Sequence, residues 1–297
     1  MSAVAKQESK KKLKFSYTVK QRRWVGDGFH VYNLLNPAPE LNPYISPFIL
    51  MDYAAPQHFE STKAKKGVGE HPHRGFETVT LAYQGEVEHR DSSGGGGKIK
   101  AGDVQWMTAG KGIVHEEFHS QDFAKSGGTF EMIQLWVNLP KKDKLTKPKY
   151  QSIEGQMIPQ VDVGRQSKLR VIAGEFLGHK GPASTFTPIE MYDLDSEKAD
   201  DFTVHLKEHH NTIILVMRGK LELEGETYSE RDILIFDRAG TDIDLSVSDQ
   251  FKGVILSGEP IDEPMVAHGP FVMNTEEEII TAIKDYQAGR MGNLRRN

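Results

Sequence analysis

The sequence predicts an all-β protein of two tandem β-barrels or sandwiches followed by a short C-terminal helix. Three observations predict this class. Short runs of β-branched and aromatic residues alternate with turn residues, one half of the chain repeats the other, and a single helix signal lies near the end. The length of 297 residues suits two domains of ordinary size.

The internal repeat relates two strands that each end at a glycine. Residues 78–85 (TVTLAYQG) align without a gap with residues 212–219 (TIILVMRG), at an offset of 134. A turn that ends in Asp and precedes an apolar strand recurs at 102–103 and 231–232. The second copy lacks the glycine run 94–97, so its turn is shorter. Two copies of one small β fold are therefore predicted.

The strand-like segments of the first half follow one another with short turns. They include FSYTV, FHVYNLL, ETVTLAYQ, GEVEHRD and KIKAGDVQWMTAG, and residues 129–140 (TFEMIQLWVNLP) have the pattern of a strand buried on both faces. Asn-Pro pairs at 36–37 and 42–43 predict extended or turn backbone and exclude a helix there. Asn274 and Thr275 are predicted to cap a helix over Glu276–Tyr286.

The domain boundaries are predicted from a change in composition at Pro140. Lysines and prolines follow it without apolar periodicity, which is typical of a solvated connector. We therefore expect an N-terminal domain over 15–140, a lysine-rich linker over 141–150 and a C-terminal domain over 151–290.

Composition indicates a water-soluble globular protein. The chain is 37% hydrophobic and 27% charged, with a net charge of −5, so no direct nucleic-acid partner is expected. There is no cysteine, which excludes disulfides and thiolate zinc sites. No stretch predicts a membrane span or a secretory signal, so we expect a cytoplasmic protein, or a nuclear one in a eukaryote. The lysine cluster Lys10–Lys14 is interpreted as a solvated, mobile tail.

Two pairs of residues point to a metal site. His71 and His73 are two residues apart, as are His115 and Glu117, and residues at this spacing share one face of a strand. On neighbouring strands these four side chains would converge. Three neutral imidazoles and one carboxylate around a divalent ion leave one or two positions open for water or substrate.

Three nearby residues compete for the carboxylate or imidazole positions. Glu77 has the parity of His71 but lies about 13 Å along an ideal strand, so it stays in reserve. His119 is in phase with Glu117 but would need a bend. Glu116 points to the opposite face from Glu117, which is the geometric favourite.

The segments HPHRGFETVT, GEVEHRDS, GDVQWMTAGKGIVHEE and IQLWVNLP resemble the pirin family of the cupin superfamily. The later segments VIAGE, GPA and GPFVMNTE are also similar, so the likeness covers most of residues 30–290. Thr108 stands where most cupins have proline, and His115 follows Gly110 at more than the usual spacing, both as in pirins.

The resemblance implies a bicupin, with two barrels and one mononuclear metal in the N-terminal barrel. By motif matching, the family's ligands fall on His71, His73, His115 and Glu117. The cofactor implied is one divalent ion, with Fe(II) first and Mn, Ni, Cu, Co or Zn as alternatives. The second barrel is expected to be metal-free, because His73 aligns there with Lys207.

The activity implied by the resemblance is opening of a flavonol such as quercetin with dioxygen, releasing carbon monoxide. Glu117, or Glu77 nearby, would take the proton of the 3-hydroxyl. The alternative is a non-enzymatic, metal-dependent regulatory protein with a protein partner, either a transcriptional cofactor or a modulator of a metabolic enzyme. The ligand set is the same for both. A sugar-phosphate isomerase of the cupin type is disfavoured, since basic residues do not cluster near the motif.

Two further groups of residues have alternative roles. Four apolar residues of the motif region are expected either to wall the substrate pocket or to fill the barrel core: Phe76, Trp106, Met107 and Ile113. Arg74 is expected to make either a structural ion pair or a substrate contact.

Overall fold

The strands are short and numerous, as the sequence predicts. The computed structural model describes residues 9–294. In chain order the first strands are β1 (Leu13–Thr18), β2 (Arg22–Val25), β3 (Phe29–Leu35), β4 (Phe48–Phe59), β5 (Gly67–His73), β6 (Phe76–Gln84), β7 (Glu86–Asp91), β8 (Gly96–Lys100), β9 (Val104–Thr108), β10 (Ile113–His119), β11 (Gly128–Asn138), β12 (Lys149–Ile153) and β13 (Gln160–Asp162).

The second half continues in the same rhythm. Its strands are β14 (Ser167–Ala173), β15 (Glu175–Phe176), β16 (His179–Lys180), β17 (Ile189–Ser196), β18 (Asp200–His205), β19 (Asn211–Arg218), β20 (Leu221–Leu223), β21 (Glu226–Tyr228), β22 (Asp232–Phe236), β23 (Asp242–Val247), β24 (Phe251–Gly258), β25 (Val266–His268) and β26 (Phe271–Met273).

The helices are short except for the last one. They are the α-helices Asn42–Ile45, Gln121–Ser126 and Glu276–Gln287 and the 3-10 helices Lys141–Asp143 and Gly155–Met157. The predicted C-terminal helix is confirmed: Thr275 caps it, and the Glu278 side chain completes a capping box. The Asn-Pro pair at 42–43 does not exclude a helix, because Pro43 lies in its first turn, where proline is tolerated. No helix in residues 9–294 has the length and apolarity that a membrane crossing requires.

The chain divides into two compact units, each built on a seven-stranded and a four-stranded sheet. One unit comprises Lys20–Pro39, Phe48–Gly155 and the residues from Ile261 onward, and we call it the histidine unit. The other comprises the residues up to Val19, Glu40–Pro47 and Gln156–Pro260, and we call it the apolar unit.

The two units have the same sheet topology. In the histidine unit the strand orders are β12-β9-β6-β11-β4-β3-β2 and β5-β10-β7-β8. In the apolar unit they are β1-β22-β19-β24-β17-β14-β13 and β18-β23-β20-β21. When β6 is aligned with β19, as the sequence repeat requires, β9 is equivalent to β22 and β11 is equivalent to β24. The prediction of two repeated β domains is therefore confirmed.

The units are discontinuous in sequence, whereas the predicted domains are continuous. β1 pairs with β22, with Tyr17 opposite Ile233, so the first strand belongs to the apolar unit. The chain after Ile261 groups with the histidine unit. Pairing between strands so far apart in sequence is set by tertiary contacts, which local composition does not encode.

Residues 141–150, predicted to be a solvated linker, are structured. β12 starts at Lys149 and pairs with β9 of the histidine unit. Lys144 is buried and donates through Nζ to Gly75 O, Asn138 Oδ1 and Val272 O at 2.7–2.9 Å. One lysine of this lysine-rich segment is therefore buried, and each of its three N–H donors has an acceptor.

The lysine cluster 10–14 is also ordered, against the prediction of a mobile tail. Lys11 is 2% exposed, and its Nζ donates to the carbonyls of His210, Asp237 and Arg238. Lys14 forms an ion pair with Asp237 at 2.7 Å. These contacts hold the segment in the apolar unit, because the ammonium donates to three carbonyls that lie far from it in sequence.

Candidate metal centre

Strands β5 and β10 carry the four predicted metal ligands side by side. The antiparallel register pairs His71 with His115, and a bulge follows before Glu117, which pairs with Val68 on β5. His73 lies two residues beyond His71, so both imidazoles share one face. The backbone thus creates the convergence that the spacing predicts.

The imidazoles of His71, His73 and His115 form a compact cluster. The ring centroid of His71 lies 4.2 Å from that of His115, and His73 is 4.8 Å from each. One ring nitrogen of each lies within 4.8 Å of the others. A second triplet within the same limit comprises His115, Glu117 and His89. Three of the four predicted residues therefore form one triplet, and Glu117 is connected to it through His115.

Backbone carbonyls orient two of the imidazoles. His71 Nδ1 donates to Gly69 O at 2.8 Å, and His73 Nδ1 donates to Pro270 O at 3.4 Å. Because a neutral imidazole has one donor and one acceptor nitrogen, each Nε2 then carries a lone pair. This is the arrangement that metal-binding histidines require.

His89 orients the third imidazole and was missed by the sequence reasoning. His89 Nε2 donates to Asp91 Oδ2 at 3.2 Å, so its Nδ1 accepts from His115 Nδ1 at 3.3 Å. His115 Nε2 is thereby left as a buried lone pair without a hydrogen-bond partner. The two-residue alternation of Val87, His89 and Asp91, all buried, was the available signal.

The charge state of the cluster suits a cation. Burial, followed by the neighbouring histidines, holds the pKa values of His73 and His115 well below the usual value. Both imidazoles are therefore neutral at pH 7. Neutral imidazoles with one nearby carboxylate are a donor set that divalent transition metals accept, so the residues present fit one metal ion.

A chain of hydrogen bonds orients Glu117, which is 7% exposed. Gln105 Nε2 donates to Glu117 Oε1 at 3.2 Å, and Tyr150 Oη donates to Gln105 Oε1 at 3.1 Å. The Tyr150 ring also stacks on His89, with centroids 5.2 Å apart. The segment predicted to be a linker therefore contributes a side chain to this site.

Glu77, the reserve ligand, lies on the wrong face of β6. Thr80 donates to Gln134, which lines the cavity described below, and Glu77 points to the opposite face by strand parity. Its Oε1 accepts from Thr108 Oγ1 at 2.7 Å. Burial raises the pKa of Glu77 to about 7. Neither the reserve ligand role nor the role in proton transfer is compatible with this position.

His119 and Glu116 also lie away from the cluster. His119 packs in a core of aromatic rings: Phe29, Phe59, Phe123 and Phe130. Glu116 forms ion pairs with Lys65 at 3.0 Å and Arg90 at 2.8 Å on the outer face of β10. The parity argument against Glu116 is confirmed.

A cavity of about 510 Å³ opens beside the cluster, within the size range of small-molecule sites. His71, His73 and Glu117 lie in its wall. The remaining wall is mainly apolar and aromatic: Trp24, Val25, Phe29, Val31, Pro37, Leu50, Val68, Met132, Trp136, Gly269 and Pro270. Its other polar residues are Arg23, Asp52 and Gln134.

The four residues of the motif region expected either to wall the pocket or to fill the barrel core are all buried, and none of them walls the pocket. Phe76, Trp106, Met107 and Ile113 are at most 1% exposed, and none lines the cavity. Proximity in sequence to the histidine motif did not identify the wall, because most of its other residues come from β2, β3, β4 and β11. Arg74 is structural, since it donates to Lys111 O and forms an ion pair with Asp285 at 2.8 Å.

Sequence comparisons agree with this geometry. The family model described as "Pirin" matches residues 29–137, and "Pirin C-terminal cupin domain" matches residues 191–292. The chain belongs to the pirin family. It therefore contains two cupin domains, as the sequence motifs predicted.

Individual relatives cover nearly the whole chain. A Pseudomonas aeruginosa protein named "Putative quercetin 2,3-dioxygenase" is 47% identical over 94% of this pirin and 98% of its own length. A pirin-like protein of Solanum lycopersicum is 36% identical over 90% and 88%. The crystal structure of a quercetin 2,3-dioxygenase from Acinetobacter baumannii is 48% identical, with a TM-score of 0.93 over 96% of this chain and 99% of that one.

Proposed function

We propose that this pirin is a metal-dependent dioxygenase that opens a flavonol of the quercetin type. The observation that carries the proposal is the position of His71, His73, His115 and Glu117. The nitrogens of the three histidines form one cluster, the Glu117 carboxylate lies close to His115, and His71, His73 and Glu117 line a largely apolar and aromatic cavity of about 510 Å³. The relatives named as quercetin dioxygenases support the substrate class.

We assign His71, His73, His115 and Glu117 as ligands of one divalent ion, with iron as the first candidate. A bound divalent ion would supply a Lewis acid that lowers the pKa of a coordinated hydroxyl. In the reaction, both atoms of one dioxygen enter the ring-opened ester and one ring carbon leaves as carbon monoxide.

Glu117 accepts the proton of the flavonol 3-hydroxyl in this proposal. Its Oε1 is held by Gln105, so the carboxylate is fixed at the cavity wall with Oε2 still available. The walls formed by Trp24, Phe29 and Trp136 pack against the flat ring system and exclude water from it. This protects the deprotonated substrate from competing proton transfer.

The test combines metal analysis with dioxygen consumption. Purified protein loaded with Fe(II) should consume dioxygen in the presence of quercetin, and His73→Ala should lose both bound metal and uptake. His205→Ala is the matched control, because it removes an exposed histidine of the apolar unit. Bound metal without metal-dependent uptake would favour the regulatory alternative, in which a protein partner replaces the substrate. Unchanged metal in His73→Ala would refute the ligand assignment.

A further inference from the structure

We infer that Asp52 and Gln134 form a subsite that binds adjacent hydroxyls on an aromatic ring of the ligand, and that this subsite selects catechol-type substrates. The inference rests on the proposed function, which places the ring that carries the flavonol 3-hydroxyl at the histidines. The subsite itself is defined by geometry that does not depend on turnover.

The two side chains face each other on the cavity wall. Asp52 on β4 is directly opposite Gln134 on β11, and both line the cavity. Trp136 lies two residues further along β11, and its ring centroid is 5.3 Å from that of His73. Two residues along a strand span about 7 Å, so the pair lies on the order of 10 Å from the histidines. A fused aromatic ligand spans such a distance.

Asp52 retains capacity to accept hydrogen bonds. Asn33 Nδ2 donates to Oδ1 at 2.7 Å, whereas the Arg23 guanidinium is 3.3 Å from Oδ2 and 3.4 Å from Oδ1. The Arg23 side chain is 55% exposed, so its interaction is weakened by solvent. A carboxylate has about four acceptor positions. Oδ2 is therefore available to a hydroxyl donor in the cavity.

Gln134 supplies the complementary donor. Its Oε1 accepts from Thr80 Oγ1 at 2.8 Å, which fixes the orientation of the amide. The NH₂ group then points away from Thr80, and within residues 9–294 no protein group accepts a hydrogen bond from it. The side chain is half-buried in the cavity wall, so its two N–H donors are available to a ligand.

An acceptor beside a donor matches a pair of adjacent phenolic hydroxyls. One hydroxyl donates to Asp52, and the oxygen of its neighbour accepts from the Gln134 amide. The apolar walls Trp24, Leu50 and Met132 accommodate the ring between this pair and the histidines. A carboxylated or sulfated ring is rejected, because a second negative charge would lie beside Asp52.

The test measures binding and turnover with two ligands, quercetin and the parent flavonol that lacks ring hydroxyls. Metal-loaded protein should bind quercetin more tightly than flavonol by about 10-fold or more under anaerobic conditions, because a hydrogen bond to a charged group is lost. Asp52→Asn and Gln134→Leu should each reduce this preference several-fold. Asp193→Asn is the matched control, since Asp193 is a buried carboxylate paired with Arg170 in the apolar unit.

The outcomes separate the two proposals. A binding preference that depends on Asp52, without turnover, would refute the dioxygenase function and leave the subsite intact. Turnover with a preference unaffected by either variant would overturn the subsite alone. The thermal midpoint of each variant is measured first. If Asp52→Asn does not fold, the ligand preference of Gln134→Leu tests the subsite.

Discussion

Strands β5 and β10 of the histidine unit correspond to β18 and β23 of the apolar unit, and the two pairs turn different side chains inward. In the apolar unit the inward residues include Val204, Ile243 and Leu245, which belong to its core. His205, which the gapless repeat aligns with His71, is exposed and lies 2.8 Å from Asp242. Because strand faces alternate, a shift of one residue moves a histidine from the interior to the surface.

The residues that support the candidate ligands differ in the same way. Gln105 and His89 correspond by sheet position to Leu234 and Leu223, which are buried in the apolar core. A barrel filled with leucine gains stability from apolar burial. The histidine unit buries less apolar surface at these positions, which instead hold polar side chains beside a cavity. The same sheet topology can therefore enclose either an apolar core or a cavity, and a few side chains that point into the barrel decide which.

The largest expected effect is loss of metal in His115→Ala. His115 belongs to both triplets of candidate ligand atoms, so its removal should abolish stoichiometric metal binding. Metal content by elemental analysis is the measurement, with circular dichroism as a check on folding. His205→Ala should keep the metal content of the wild type. Equal metal content in the two variants would contradict the assignment of the metal site to the histidine unit.

Among the residues that the structure describes, each unit contains one buried lysine whose loss should be costly. Lys144→Met in the histidine unit and Lys11→Met in the apolar unit each remove the donor of three hydrogen bonds. We expect each to lower the free energy of unfolding by roughly 3 kcal/mol. Urea denaturation measures this. The exposed Lys63→Met should change stability by less than about 0.5 kcal/mol. A small effect at Lys11 would restore the interpretation of the N-terminal lysines as a mobile tail.

A pH dependence is expected from Glu77, whose repeat counterpart is the neutral Asn211. Because the folded-state pKa of Glu77 is raised to about 7, the folded chain holds a proton that the unfolded chain releases. Its contribution to stability is present below about pH 4.5 and is lost as pH rises through 7. Glu77→Gln should therefore be more stable than wild type by about 3 kcal/mol at pH 8 and by at most about 1 kcal/mol at pH 5.

The measurement is the difference in unfolding free energy between wild type and Glu77→Gln across this pH range. Metal content should not change, since Glu77 faces away from the cavity. A decrease in bound metal would show that Glu77 acts as a ligand after all.

The smallest expected effect is that of Gln105→Leu, which copies Leu234 of the apolar unit. Loss of the hydrogen bond to Glu117 should weaken metal affinity by about 10-fold, as for other residues that orient a ligand. Competition with a chelator measures the affinity. Thermal stability of the metal-free protein should be unchanged or higher. Unchanged affinity would indicate that Glu117 does not depend on Gln105.

The sequence by itself determined the β class, the repeat, the C-terminal helix and the family. These features rest on local signals: alternation, turn residues, capping residues and long motifs. The shared strand face of His71 and His73, and that of His115 and Glu117, were also predictable, because residues two apart on a strand point to the same side.

Only the tertiary structure decided the rest, because it depends on which distant strands become neighbours. Pairing of β1 with β22 and of β12 with β9 moved the unit boundaries and brought Tyr150 beside His89. Asp52 lies on β4 and Gln134 on β11, both remote in sequence from the histidine motif, so neither could be assigned to the cavity wall from sequence. The burial of Lys11 and Lys144 could not be predicted from the sequence either, because it depends on acceptors from remote segments of the chain.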